Sequence, residues 1–129
     1  MSDIALRSYP EECCGFLFGY GNESQASAVE VKEVTNADPH NKHRHFTISP
    51  ASYLMAERLA EKKQLALLGI FHSHPDQVAK PSNEDLTYAL PNFYYIIISL
   101  TTSTISDIRC WKLDRQRNFK QIYLHHITL

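Results

Sequence analysis

The apolar run LALLGIFH, residues 65–72, constrains the fold of this chain more than any other stretch. It is continuously apolar over a length that suits one strand, so we expect a central strand buried on both faces. The remaining patterns must then supply the neighbouring strands and the helices that cover them.

Several other segments have the composition of strands. Residues 14–20 are compact and apolar and end at a Gly-Asn turn signal, while residues 28–34 alternate, so the two are expected to pair antiparallel. The pattern also predicts a short strand at 46–48 and three closing strands at 93–100, 105–113 and 119–127. Residues 101–104 and 114–118 are expected to be hairpin turns between the last three.

Three helices are predicted. Residues 1–8 are expected to form a short one, and residues 51–64 a long one that Ser49 caps and Pro50 starts. An apolar face of Ala51, Leu54, Met55 and Leu59 is interpreted as its core side. Residues 83–90, which follow Pro81-Ser82, are expected to form another short helix that Pro91 ends or closely follows. The fold class is therefore α+β: a mixed, largely antiparallel sheet with one long helix and one or two short helices.

Length and charge limit the classes of function. A chain of 129 residues is expected to form one domain, 1–129. The net charge is -1 with both signs mixed, which argues against binding to nucleic acid or to a membrane surface. The N-terminus has no signal-peptide pattern. Cys13, Cys14 and Cys110 have no disulfide framework spacing, so reduced thiols in a cytoplasmic protein are expected.

His72 and His74 follow the central strand at a spacing that suits a metal. Residues i and i+2 of a strand point to the same side, and Pro75 favours an extended His74. Two imidazoles suit Zn²⁺, and Asp85 in the first turn of the next helix is the natural third ligand. The alternatives are ordinary surface histidines, and a Ser82-capped helix whose first turn favours Asp85 without any metal.

The remaining histidines offer a rival site. His40, His43 and His45 lie in one polar loop, but no carboxylate follows them in the way that Asp85 follows His72 and His74. We favour a solvated or substrate-facing loop for these three. His125 and His126 are adjacent on a predicted strand and should face opposite sides, so we do not expect them to share a metal.

Taken together, the motifs resemble those of the JAMM, or MPN-plus, metallopeptidase family. That pattern is a Glu, a long gap, H-[ST]-H-P, and then S-x-x-D with seven residues between the second His and the Ser. Here HSHP occupies residues 72–75, seven residues follow His74, and SNED occupies residues 82–85. The upstream Glu matches Glu12 in PEECCGFLFG, with Glu11 the less favoured neighbour.

The resemblance implies specific roles. His72, His74 and Asp85 would hold one Zn²⁺ per chain, and Glu12 would take a proton from the attacking water and deliver it to the leaving amine. Ser82 would donate a hydrogen bond to the oxyanion.

The segment YPEECCGFLFG further resembles the small bacterial branch that acts on ubiquitin-like sulfur-carrier proteins. The implied activity is hydrolysis after the C-terminal Gly of such a carrier, with the carrier's extended tail in a nearby cleft. A non-catalytic MPN-type scaffold that binds a partner protein is the alternative. A DNA-linked role like that of the RadC relatives is weaker, because no basic patch is present.

Overall fold

The computed structural model describes residues 1–21 and 25–125, and its strands form one mixed sheet. The six strands are β1 (Cys14–Gly21), β2 (Ala26–Val34), β3 (Ala66–Pro75), β4 (Tyr94–Leu100), β5 (Ile105–Leu113) and β6 (Phe119–Ile122). The helices are α1 (Ser2–Ser8), α2 (Pro50–Lys63) and α3 (Asn83–Tyr88). The strand order is β2-β1-β3-β4-β5-β6, and only β3 and β4 run parallel. The predicted α+β fold class is confirmed.

Strand β3 lies inside the sheet, as the apolar run predicted. It pairs antiparallel with β1 and parallel with β4, and it is buried from Gly69 to Pro75. Position 69 requires glycine, because a Cβ there would collide with the Tyr94 backbone on β4. The pairing with β1 and β4 holds the polar end of β3 from both sides.

The two faces of the sheet are covered by different helices. On one face Cys14, Phe16 and Phe18 pack in a core with α2, and on the other Cys13 and Leu17 pack in a core with α1. Successive residues of a strand alternate in direction, so the two neighbouring thiols point apart, as predicted.

All three cysteines are free and buried. Burial raises the pKa of both Cys14 and Cys110 to about 12. A thiol of that kind carries little thiolate at neutral pH, so these residues act as small core side chains rather than as nucleophiles.

The predicted core face of α2 is right for Leu59, which packs on the core, but wrong for Ala51 and Leu54. Ala51 and Leu54 are exposed, whereas Ala56 and Ala60 are buried. On the sheet side, Phe16 of β1 meets Tyr53 of α2 edge-on at 5.3 Å. The helix therefore contacts the core through Tyr53, Leu59 and the two small alanines.

Two strand predictions are also wrong. Residues 46–48 form no strand, because the Thr47 N–H donates to the Asn36 side chain and its carbonyl accepts from Ala37 N. The last strand ends at Ile122, and residues 123–125 lie outside it. The rest of that prediction, including His126, lies outside the described residues.

Both predicted hairpins are present, joining β4 to β5 and β5 to β6. Across residues 1–21 and 25–125, no helix combines the length and the apolar character needed to span a membrane.

Candidate active site

The end of β3 brings two imidazoles together. His72 and His74 are 0% and 3% exposed, and their Nε2 atoms lie 3.0 Å apart. Both rings point to the α2 face, where Phe46 stacks on His72 at a centroid distance of 4.4 Å. Burial lowers the pKa of His72 against the opposing charge of Asp85, which favours the neutral imidazole. Neutral imidazole is the form that binds metals.

Asp85 reaches the same point from α3. Its Oδ2 lies 3.2 Å from His72 Nε2 and 3.3 Å from His74 Nε2. The same oxygen accepts from Ser82 N at 2.8 Å, and Ser82 Oγ accepts from Asp85 N at 3.0 Å, which makes a reciprocal capping box. Burial raises the pKa of Asp85, but its interactions with His72 and His74 and the hydrogen bond from Ser82 N hold that pKa well below its usual range.

These three donor atoms fit a zinc ion. Ligands about 2.0–2.1 Å from a tetrahedral zinc lie about 3.3 Å from one another. The observed separations are 3.0, 3.2 and 3.3 Å. His74 Nδ1 lies 2.9 Å from Val78 O, and only a protonated Nδ1 can donate to a carbonyl, so Nε2 is left with a free lone pair aimed at the cluster.

Glu12 lies beside the two histidines, in the segment just before β1. It is 3% exposed, and one of its oxygens lies with a nitrogen of each histidine in a group of atoms within 4.8 Å of one another. Burial, followed by the carboxylates of Asp85, Glu84 and Asp38, raises its pKa to about 9. The neighbouring Glu11 is exposed.

Glu12 and Asp85 therefore compete as the third donor beside the histidines. The atoms of His72, His74 and Asp85 stand at the spacing that zinc requires, whereas the atoms of the group with Glu12 are placed only within 4.8 Å of one another. The tighter set favours Asp85 as the ligand and leaves Glu12 beside the ligands, where a carboxylate can handle protons.

Comparisons with known proteins show the family to which this chain belongs. The family model described as prokaryotic homologs of the JAB domain matches residues 1–114. The chain belongs to this JAB-domain family. The resemblance of its motifs to the JAMM/MPN family, in the small prokaryotic branch, is thereby confirmed.

Individual relatives share the domain over most of its length. A protein named desampylase from Pyrococcus furiosus is 29% identical over 111 residues, which are 86% of this chain and 73% of that protein. The solution structure of a Desulfitobacterium hafniense protein has a TM-score of 0.80 at 29% identity, covering 93% of this chain and 81% of that one. The crystal structure of a JAB1/MPN domain protein from Archaeoglobus fulgidus has a TM-score of 0.54 at 20% identity, covering 95% and 85% of the two chains, and shows the fold alone.

The Ser82 hydroxyl of this JAB domain is exposed at the rim of the site. Capping occupies a lone pair of its oxygen, because Asp85 N donates to it. The O–H itself remains available to donate. Ser82 is thus the helix cap that the sequence predicted, with its hydroxyl beside Asp85.

Among the described residues, none of the loop histidines belongs to a group of three or more side chains that could hold a metal. His40 and His43 are exposed, as a solvated loop predicts. His45 instead forms an ion pair with Glu84, which joins the loop to α3.

Sequence reasoning missed the residues that hold this JAB-domain site from outside the motif. Arg117 Nη2 donates to Leu86 O at 2.6 Å at the end of α3. Trp111 Nε1 donates to Ala79 O at 3.0 Å, and Tyr95 OH accepts from Leu90 N. None of these contacts has a local sequence signal, because each joins side chains of β4, β5 or the following turn to backbone groups of the 79–90 segment.

Proposed function

We propose that this JAB-domain protein is a zinc-dependent isopeptidase or peptidase that hydrolyses the amide after the C-terminal Gly of a ubiquitin-like or sulfur-carrier protein. The observation that carries the proposal is the convergence of three donor atoms at zinc spacing with the buried Glu12 beside them. Membership of the JAB-domain family and similarity to a protein named desampylase support hydrolysis of a ubiquitin-like substrate.

In this proposal His72 Nε2, His74 Nε2 and Asp85 Oδ2 hold one zinc ion. When bound, zinc supplies Lewis acidity that polarises a carbonyl and acidifies a water molecule. Asp85 is suited to bind a cation because its pKa lies well below the usual range, so it stays ionised. The neutral His72 and the tautomer that Val78 O imposes on His74 supply the two nitrogen lone pairs.

Glu12 is the proton carrier. Its carboxylate takes the proton from the attacking water and delivers it to the amine that leaves. Without a metal its pKa is about 9 because it is buried among other carboxylates, so it holds a proton near neutral pH. A nearby cation favours the ionised form, which is the form that acts as a base.

Ser82 is the oxyanion donor. Its oxygen already accepts from Asp85 N, which fixes the hydroxyl at the start of α3 while leaving its proton free for the tetrahedral oxyanion. Donors of this type typically contribute about 10²–10³ in kcat.

The test is replacement of Glu12 with Gln, with Glu11→Gln as the matched control on the exposed neighbour. We expect Glu12→Gln to lower the rate of hydrolysis of a carrier–amino acid conjugate, read by mass spectrometry, by about 10²–10⁴-fold, which leaves only a slow residual rate, while zinc content stays near one per chain. Glu11→Gln should retain both. Full hydrolysis by Glu12→Gln would reject Glu12 as the base.

The second candidate function is a non-catalytic scaffold that binds a partner protein. It predicts protein without zinc after purification in zinc-containing buffer, whereas the enzyme predicts about one zinc per chain. The convergence of His72, His74 and Asp85 favours the enzyme, because a scaffold has no need for three donor atoms at this spacing.

The proposed partner is the C-terminal tail of the carrier, not a nucleic acid or a membrane. Mixed charge with a net value of -1 supports this assignment. Three free thiols support a cytoplasmic location.

A further inference from the structure

Asn36 satisfies an unusual number of backbone groups around Glu12. Its Nδ2 donates to Glu12 O at 3.1 Å and to His45 O at 2.9 Å. Its Oδ1 accepts from Asp38 N at 3.0 Å and from Thr47 N at 3.1 Å. An asparagine side chain has two donors and an oxygen with two lone pairs, so all four positions are used, and all four partners are main-chain groups.

The position of Asn36 follows from the sheet register. Strands β1 and β2 pair antiparallel with Cys14 opposite Val34, and β2 ends at Val34. Continuing that register by two residues on each strand places Asn36 opposite Glu12. Backbone pairing between the two strands has ended before this point. The Asn36 side chain therefore donates to Glu12 O in place of a backbone N–H of β2.

The other backbone contacts of this segment are also fixed. Glu12 N donates to Lys42 O at 2.6 Å, in the same loop that Asn36 organises. Cys13 N donates to Ser73 Oγ at 2.8 Å, and Ser73 N donates to Cys13 O at 3.1 Å, on the β3 side between the two histidines. Glu12 is thus held from the loop side by Asn36 and Lys42, and its neighbour is held from the histidine side.

We infer that Asn36 is the positioning residue of Glu12, which fixes the main chain of the base against the histidines. This inference rests on the proposed function of Glu12. Asn36 itself acts on the peptide group of Glu12 and not on the substrate. A displacement of a catalytic group by about 1 Å can reduce the rate about 100-fold, so the bond to Glu12 O has a kinetic consequence beyond its own strength.

The experiment compares Asn36→Ala and Asn36→Asp with Asn41→Ala, a control in the same loop, where Asn41 bonds to Asp38 and His45 through its backbone. Asn36→Asp is nearly isosteric and keeps the two bonds accepted by Oδ1, but it loses both donors. It therefore serves as a second variant if Asn36→Ala fails to fold. Kinetics on a carrier–amino acid conjugate, zinc content and amide hydrogen exchange are measured for each variant.

We expect both Asn36 variants to lower kcat by about 10- to 100-fold with KM within about twofold of the original. Zinc content should stay near one per chain, and amide exchange should accelerate in residues 11–14 and 36–47. Asn41→Ala should match the original protein. Full activity of Asn36→Asp, loss of zinc, or a change confined to KM would overturn the inference.

A double-mutant cycle separates positioning from general loop integrity. If Asn36 acts through Glu12, Asn36→Ala added to Glu12→Gln should reduce the residual rate by less than about twofold. A full additional loss would overturn the inference. An original protein that binds zinc but hydrolyses no conjugate would reject the proposed function instead, and amide exchange would then decide whether Asn36 holds the Glu12 segment.

Discussion

The two sides of the candidate site are built in different ways. On the strand side, His72 and His74 belong to β3, which the ladders to β1 and β4 hold on both edges. On the helix side, Asp85 and Ser82 belong to α3 or its cap, a six-residue helix in which no residue is fully buried. The strand side owes its geometry to continuous backbone pairing, whereas the helix side depends on a few side-chain contacts. Substitutions on the strand side should therefore abolish zinc binding and hydrolysis, whereas substitutions in the cap and contacts of α3 should reduce them only in part.

The strand side should fail completely when a histidine is removed. We expect His74→Ala to reduce zinc content from about one per chain to near zero and to abolish hydrolysis, because two of the three proposed ligands do not hold zinc tightly. Metal analysis and a conjugate cleavage assay measure the two effects. The control is His43→Ala in the exposed loop, which should bind zinc normally. Zinc retained by His74→Ala would mean that Glu12 or another donor completes the ligand set.

The cap of α3 should show a large but partial effect. We expect Ser82→Ala to lower kcat by about 10²–10³ because the oxyanion donor is lost. Loss of a helix cap costs about 1 kcal/mol, which alone does not explain such a drop. Ser49→Ala is the matched control, since Ser49 Oγ caps α2 in the same way by accepting from Ser52 N at 3.1 Å. Comparable kcat losses in both variants would reject a catalytic role for Ser82.

Loss of the Arg117 hydrogen bonds at the end of α3 should have a smaller effect still. Arg117 donates to Leu86 O and Ala89 O at the end of the helix. A cation at a helix C-terminus contributes about 0.3–1 kcal/mol, so we expect Arg117→Met to weaken zinc binding by about two- to fivefold. Titration with a chelator-buffered zinc series measures the zinc affinity, and Arg115→Met in the same turn is the control. Equal affinities in the two variants would show that the remaining contacts suffice to place Asp85.

The last prediction compares the two buried carboxyls in the metal-free protein. The pKa of Asp85 lies well below its usual range, whereas the pKa of Glu12 rises from 4.5 to about 9. Between those two values the unfolded chain ionises Glu12 and the folded chain keeps it protonated. The free energy of unfolding should therefore fall as pH rises through this window, by at most about 1.4 kcal/mol per pH unit.

Replacing Glu12 with Gln should flatten that slope, because the amide does not titrate, whereas Glu11→Gln should leave it intact. Urea unfolding of metal-free protein at pH 5, 6, 7 and 8, roughly spanning the window in which the two states differ in protonation, provides the measurement. An unchanged slope in Glu12→Gln would mean that Glu12 ionises at its ordinary pKa in the folded protein.

Much of the architecture was predictable because its signals are local. The apolar run 65–72 predicted the central strand, Ser49-Pro50 predicted the start of the long helix, and the two hairpins followed from turn composition. Alternation in a strand placed Cys13 and Cys14 on opposite faces. These features depend on residues close together in the chain, where periodicity and capping preferences are informative.

The errors arose where packing overrode a local pattern. The aliphatic stripe of α2 looked like a core face, yet of its four members only Leu59 packs on the core cluster, which Ala56, Ala60 and Tyr53 reach from the same helix. Residues 46–48 looked like a strand, yet Asn36 takes the Thr47 N–H. In both places a partner distant in sequence determined the outcome.

The sequence by itself determined which groups could meet: the i, i+2 spacing of His72 and His74, the first-turn position of Asp85 and the capping role of Ser82. Only the tertiary structure decided that Glu12, sixty residues before His72, lies buried beside them while Glu11 stays exposed. It also decided that Asn36 ties the Glu12 backbone and Arg117 ties α3. The physical reason is that spacing fixes direction along one strand or helix, whereas the distance between elements is set by side chains that pack and bond across the fold.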